Sequence, residues 1–239
     1  MGKLGLVFAV LVALPAAALA APTAEEVLAK ANGIIAPPAY KAEITMVAQR
    51  SGGEVKTYSF RTVKQGDDKL RLTFQGPKTL AGHEILRLGD DLWRYVPSLK
   101  RSMRIASRDD FEAGDFRNAD VLRVDLVRDY KIAKFTDAGA NWVLDLAASS
   151  KQAGYDRIVY TVRKVDFMPL DQTFFAASSK KLRSLIFSAP VKFGNHTRPS
   201  KLVMTNELAK GQTSEMTVKS FEVVESIAAK LFRREDLGR

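Results

Sequence analysis

The chain has no cysteine, only two histidines, and just 15 glycines and 9 prolines among 239 residues. Without cysteine there are no disulfides, and none is available near an export signal to carry a lipid anchor. His83 and His196 each lack a second metal ligand at short spacing and read as ordinary surface or strand histidines. So little glycine and proline excludes a collagen, a Pro-rich linker protein and a largely disordered chain. There is also no Gly-x-Ser-x-Gly elbow, no Gly-rich phosphate loop ending in Lys-Ser/Thr and no dinucleotide fingerprint. The acids Asp109, Asp110, Glu112 and Asp115 lack calcium-loop spacing and read as a solvated loop. No enzyme activity, metal or cofactor is therefore expected.

Long uncharged runs are absent too, except at the start. Met1 and Lys3 precede an apolar run from Leu4 to Leu14, Pro15 breaks it, and Ala18-Leu19-Ala20 supplies the small residues a signal peptidase reads. This run is shorter than the roughly 20 residues a membrane span needs. Residues 1–20 are expected to be a signal peptide cleaved after Ala20, leaving 21–239 as a single exported, periplasmic domain. Acid is the scarcer charge, with 27 Asp and Glu against 37 Lys and Arg. The bases are spread along an exported chain, which speaks against nucleic acid and suits anionic lipid head groups nearby.

What is plentiful is alternation. Thr23 and Glu26 stand in capping-box spacing before Val27, Ala31, Ile34 and Ile35, which predicts a helix ended by Gly33 and Pro37-Pro38. Thereafter period two dominates. Tyr40, Ala42, Ile44, Met46 and Ala48 share one parity, as do Leu70, Leu72 and Phe74, Trp93 and Tyr95, Trp142, Leu144 and Leu146, and Ile158, Tyr160 and Val162. About ten strands joined by short turns are expected, suited to antiparallel pairing. Between Ser107 and Asp129 the period shifts to three and four, predicting a short helical stretch around Val121–Val127. A sheet with so apolar a face needs helices to cover it.

The stretch Leu88-Gly89-Asp90-Asp91-Leu92-Trp93-Arg94-Tyr95-Val96-Pro97, continued by the basic run to Ile105, resembles the outer-membrane lipoprotein-sorting family of LolA-like periplasmic carriers. Gly114-Asp115-Phe116 followed by Asp120 resembles a Gly-Ser-Asp-Phe-x-x-x-Asp element of one branch, departing from it by lacking the Ser. The resemblance is specific over about residues 81–130. It implies a mainly β fold, an incomplete antiparallel β-barrel of about eleven strands with helices over its concave apolar face. It also implies a function: binding acyl chains of lipoproteins or other lipids and moving them across the periplasm, between an inner-membrane transporter and an outer-membrane acceptor.

On that reading the candidate lipid-binding residues are Leu70, Leu72, Phe74, Trp93, Tyr95, Trp142, Leu144 and Leu146, each on the apolar parity of its strand. Phe111, Gly114, Asp115 and Phe116 are expected to belong to a movable lid, because acids and glycine fit a sheet poorly. The protein is expected to be monomeric and non-enzymatic. The alternative is a lipid- or peptide-sensing domain that regulates a membrane partner.

Overall fold

The computed structural model describes residues 21–239, so the expected signal segment lies outside the described residues. Helix α1 (Ala24–Ile35) comes first, then strands β1 (Ala39–Gln49), β2 (Val55–Gln65), β3 (Lys69–Gly76), β4 (Glu84–Leu88), β5 (Asp91–Val96) and β6 (Arg101–Ile105). Two short helices follow, α2 (Asn118–Leu122) and α3 (Leu126–Asp129). Strands β7 (Tyr130–Ala138), β8 (Asn141–Ala148), β9 (Arg157–Arg163), β10 (Pro169–Phe175), β11 (Lys181–Phe193), β12 (His196–Asn206) and β13 (Thr213–Val223) complete the order. Among the described residues no helix is long and apolar enough to cross a membrane.

All thirteen strands form one antiparallel sheet, in the order β6-β5-β4-β3-β2-β1-β13-β12-β11-β10-β9-β8-β7. The chain begins at the centre, meanders out to β6, crosses to the opposite end at β7 and meanders back until β13 pairs with β1. Short hairpins make every connection local except the one between β6 and β7. That one must travel from one end of the unclosed sheet to the other, and it does so along the concave face. The fold is therefore the incomplete barrel expected from the sequence, with thirteen strands instead of ten or eleven.

Thr23 caps α1 as its spacing predicts: its hydroxyl accepts from the Glu26 N–H at 3.2 Å, and the Glu26 carboxylate accepts from the Thr23 N–H at 3.0 Å. Gly33 does not end the helix, which runs on to Ile35. Val27, Leu28 and Ala31 turn into the main core with Phe60, Leu72, Leu144, Leu146 and Tyr160.

The convex face carries a second cluster. After β13 the chain runs back over β3–β6, where Ile227, Phe232 and Leu237 bury themselves against Leu86, with Trp93 and Tyr95 at the margin. A buried ion pair fixes this tail. The Arg71 guanidinium donates at 2.8 Å to the Glu84 carboxylate, and also to the carbonyls of Leu231 at 3.3 Å and Asp236 at 3.1 Å. Glu84 in turn accepts the Gly238 N–H at 2.8 Å. Arg234 lies 3.7 Å from the Trp93 ring centroid.

The tail explains why β4 gave no alternation in sequence: Ile85 faces the concave core and Leu86 the tail, so both parities are apolar. It also corrects two candidate residues. Trp93 pairs across the ladder with Leu86 on the convex side, and Tyr95 shares its parity. On β5 it is Leu92 that enters the concave core. Trp93 and Tyr95 therefore do not face the concavity.

Breaking one side of a buried charge pair leaves the other uncompensated, at a cost of about 3–5 kcal/mol. Arg71→Met is expected to lower the unfolding free energy by about that much in urea titrations. Adding Glu84→Leu should recover only part of the loss, since two apolar groups then replace the charge pair but the Gly238 N–H and the Leu231 and Asp236 carbonyls still lose their partners.

Candidate functional site

The crossing segment between β6 and β7 meets the concave face with two aromatic side chains held by a tight loop. The Phe111 N–H donates to the Phe116 carbonyl at 2.8 Å, and the Asn118 N–H to the Asp109 carbonyl at 2.9 Å. Phe111 is fully buried, 5.5 Å edge-on from Phe60 and stacked 5.8 Å from Phe74. It fills the β1–β6 half of the concavity, where Leu70, Leu72 and Phe74 are also buried. Gly114 permits this approach: a Cβ there would stand 3.0 Å from Met46 Cε and 3.1 Å from the Phe111 carbonyl.

Asp115 anchors the loop. Its side chain is 1 % exposed. It accepts from both terminal nitrogens of Arg50, from Ser214 Oγ at 2.7 Å and from Asn206 Nδ2 at 3.2 Å, while its own N–H donates to Ser214 Oγ at 2.9 Å. Nearby, Glu112 holds a left-handed backbone (φ 56°) and its carboxylate accepts from Arg94 at 2.7 Å. These acids are structural anchors. The expectation that they mark a solvated loop is overturned at Asp115, because Arg50 lies 65 residues away in sequence and only the fold brings the two together.

The β9–β13 half is filled less completely. Between its floor and the cover formed by α1, α2 and α3 lies a cavity of about 70 Å³. Ile158, Tyr160, Phe174, Leu185, Phe187, Leu202 and Met216 form the floor, and Ile35, Phe116 and Leu126 lie among the other lining residues. Of the candidate site residues only Phe116 lines this space. Leu70, Leu72 and Phe74 lie in the plugged half. Trp142, Leu144 and Leu146 share the concave core, with Leu144 and Leu146 opposite Tyr160 and Ile158 across the ladder. Ile158 and Tyr160 carried the right signal, period two, but nothing local distinguished their strand from its neighbours.

Polar groups ring the cover. The Tyr155 hydroxyl donates to Asp120 at 2.8 Å, the Arg117 N–H donates to the same oxygen at 2.7 Å, and Arg183 donates to the Tyr155 oxygen at 3.3 Å. Arg123 forks onto Asp129 at 2.8 and 2.9 Å and reaches Asp90 at 3.1 Å. Arg87 donates to the Arg123 carbonyl at 3.1 Å and to Asp125 at 3.4 Å. Burial pushes the Asp120 and Asp125 carboxyls up and the Arg87 and Lys64 side chains down from their usual values. Among the described residues no three His, Cys, Asp or Glu side chains group as metal ligands.

The raised Asp120 carboxyl fixes the sign of a pH effect. The folded state holds that proton more tightly than the unfolded chain. Its contribution to stability is therefore full below the ordinary carboxyl value, about pH 4, and is lost as pH rises through the raised one. Asp120→Asn cannot titrate, so its urea midpoint should improve relative to wild type between about pH 4 and pH 7. A constant difference across that range would contradict the assignment.

A family model described as uncharacterized protein-like matches residues 66–239. No curated protein matches the chain. Among solved structures, a LolA superfamily protein from Nitrosomonas europaea superposes with a TM-score of 0.81 at 20 % identity, covering 90 % of this chain and 99 % of that one. A putative outer membrane lipoprotein-sorting protein domain from Vibrio parahaemolyticus gives 0.75 at 23 % identity, with 90 % and 97 % covered. A DUF1329 family protein from Desulfovibrio piger gives 0.77 at 20 %, with 89 % and 97 % covered. The open sheet with its helical cover is thus the LolA-like fold, and the chain belongs to the family of uncharacterized proteins whose model spans residues 66–239.

Proposed function

We propose that this protein is a periplasmic carrier that shelters acyl chains of lipoproteins or other lipids on the β9–β13 side of its concavity and moves them toward the outer membrane. The observation that carries the reading is the apolar space left between that floor and the three helices. An acyl chain gains about 0.8 kcal/mol per methylene buried, so a dry slot with a displaceable cover suffices and no reacting group is needed. The printed description of the Vibrio domain, outer membrane lipoprotein sorting, supports the choice of cargo class. On this reading residues 1–20 direct export and are removed after Ala20. The remaining chain works as a monomer between an inner-membrane transporter and an outer-membrane acceptor.

At about 70 Å³ the cavity falls well short of the roughly 300–1,000 Å³ of sites that enclose drug-sized ligands. Loading must therefore enlarge it. The floor strands are hydrogen-bonded on both sides, which leaves the covering segment and α1 to move.

Two measurements test the reading. Lipid extracted from protein purified out of the periplasm and identified by mass spectrometry should contain acyl species. Leu202→Trp, which fills the cavity from its floor, should weaken binding of a fluorescent fatty-acyl probe by at least about tenfold, while a partly buried floor position repacks at a cost below about 3 kcal/mol. A wild-type protein that takes up no acyl probe would remove the carrier function.

A further inference from the structure

The cavity is not uniformly apolar, and its polar lining divides into two kinds. Asp120, Arg123, Asp125, Asp129, Tyr130 and Tyr155 all lie toward the cover and all have partners in the protein. Tyr130 is typical, its hydroxyl accepting the Tyr155 N–H at 3.1 Å and donating to the Tyr155 carbonyl at 3.2 Å. Tyr160 and Gln172 differ. They sit in the floor, directly opposite one another across the β9–β10 ladder, flanked in the same row by Leu144 on β8 and Leu185 on β11. Tyr160 is 1 % and Gln172 7 % exposed, and both line the cavity. Among the described residues neither side chain makes a hydrogen bond within the protein. Burial alone pushes the Tyr160 hydroxyl up from its ordinary value, with no charged or hydrogen-bonding neighbour contributing.

Neither polar end is sealed off from the cavity, so each side chain keeps an unused hydrogen-bonding group at the floor of a largely apolar space. Both line one small volume, and each can donate: a phenol O–H and a carboxamide N–H. We propose that Tyr160 and Gln172 form a carbonyl-binding subsite, taking the ester or amide carbonyl oxygen that links an acyl chain to the rest of its cargo. This rests on the carrier reading and deepens it. The slot selects acyl linkages, not bare hydrocarbon, because an alkane would cover both groups and satisfy neither. The bound carbonyl would also set how far the chain slides along the floor between Leu144 and Leu185.

The test is competition against a fluorescent acyl probe by methyl laurate, N-methyl lauramide and dodecane, using wild type, Tyr160→Phe and Gln172→Met. Wild type should bind the ester or the amide roughly tenfold more tightly than the alkane, the scale of one or two net hydrogen bonds. A preference for the ester points to glycerolipid linkages, and one for the amide to N-acyl linkages. Either variant should lose several-fold for the carbonyl ligands with dodecane unchanged or improved, and the ligand-free variants should melt no lower than wild type. Equal binding of ester, amide and alkane by wild type would overturn the subsite while leaving the carrier intact, as would variants that weaken all three ligands alike. A Tyr160→Phe protein that melts markedly lower without ligand would reveal an internal partner and overturn it too. Failure of all three ligands and of the probe to bind would remove the carrier reading and the subsite together.

Discussion

Asp115 and Arg50 are the contact on which the rest of the arrangement depends. A sheet that does not close leaves its two end strands apart, and the chain must pass from β6 to β7 over an apolar surface. A segment there has backbone and side-chain polar groups that find no water and need partners. The pairing supplies them at the seam of the sheet, for Arg50 follows β1 while Ser214 and Asn206 stand on β13 and β12. A lone buried carboxylate would be expelled or protonated. Four donors, two of them on one guanidinium, make its burial tolerable. With Asp115 fixed, Phe111 falls to one side of the seam and Phe116 to the other.

That division makes the concavity asymmetric. Phe111 meets two phenylalanines and completes a close-packed aromatic group, so the β1–β6 half behaves as ordinary core. Phe116 meets a floor that short helices roof only in part. The convex face is asymmetric in the same sense, since the tail over β3–β6 buries both faces of the plugged half. One half of the sheet is thus stiffened from both sides, and the half with the cavity is covered on one side by three helices, two of them of four and five residues.

Alternation along single strands was legible in the sequence because one buried face and one wet face impose it residue by residue. Leu70, Leu72, Phe74, Trp142, Leu144 and Leu146 lie in the concave core for that reason. The signal failed where a second partner covered the wet face. β4 showed no period because the tail buries Leu86, and on β5 the tail drew Trp93 and Tyr95 to the convex side, reversing the apparent parity. β7 was not legible as an end strand, since it follows directly on a helix. The role of Asp115 was out of reach locally, since a carboxylate in a loop is solvated unless a distant cation meets it. Which half of the concavity stays open was equally hidden, because it depends on where two phenylalanines land.

The proposed carrier function requires the cavity to open, and the same physics ranks the parts that enclose it. The floor cannot yield, since separating β9 from β10 exposes a ladder of backbone groups for each residue lost. The plug yields poorly, because withdrawing Asp115 strips a buried carboxylate of all its donors at once and pulls Phe111 from an aromatic cage. The α2–α3 cover is held differently. Arg123 to Asp129 is a buried pair within the cover, whereas Arg123 to Asp90 and Arg87 to Asp125 tie the cover to β4 and the β4–β5 turn, where Asp90 is half exposed. Only the Asp90 tie reaches solvent and is cheaply replaced by hydration; Arg87 and Asp125 are buried, and parting them is costly until the displaced Asp125 reaches water. Val127 on α3 is already half exposed, leaving little apolar contact to break there. Displacement of α2 and α3 would draw Val121 and Leu122 from the core and uncover Ile158, Phe174 and Leu185, apolar surface that the proposed acyl cargo would rebury. The floor is held by backbone ladders on both sides and the plug by four donors to one buried carboxylate, so the two short helices, joined to the sheet by fewer ties, are the part of the enclosure that would have to move for the proposed cargo.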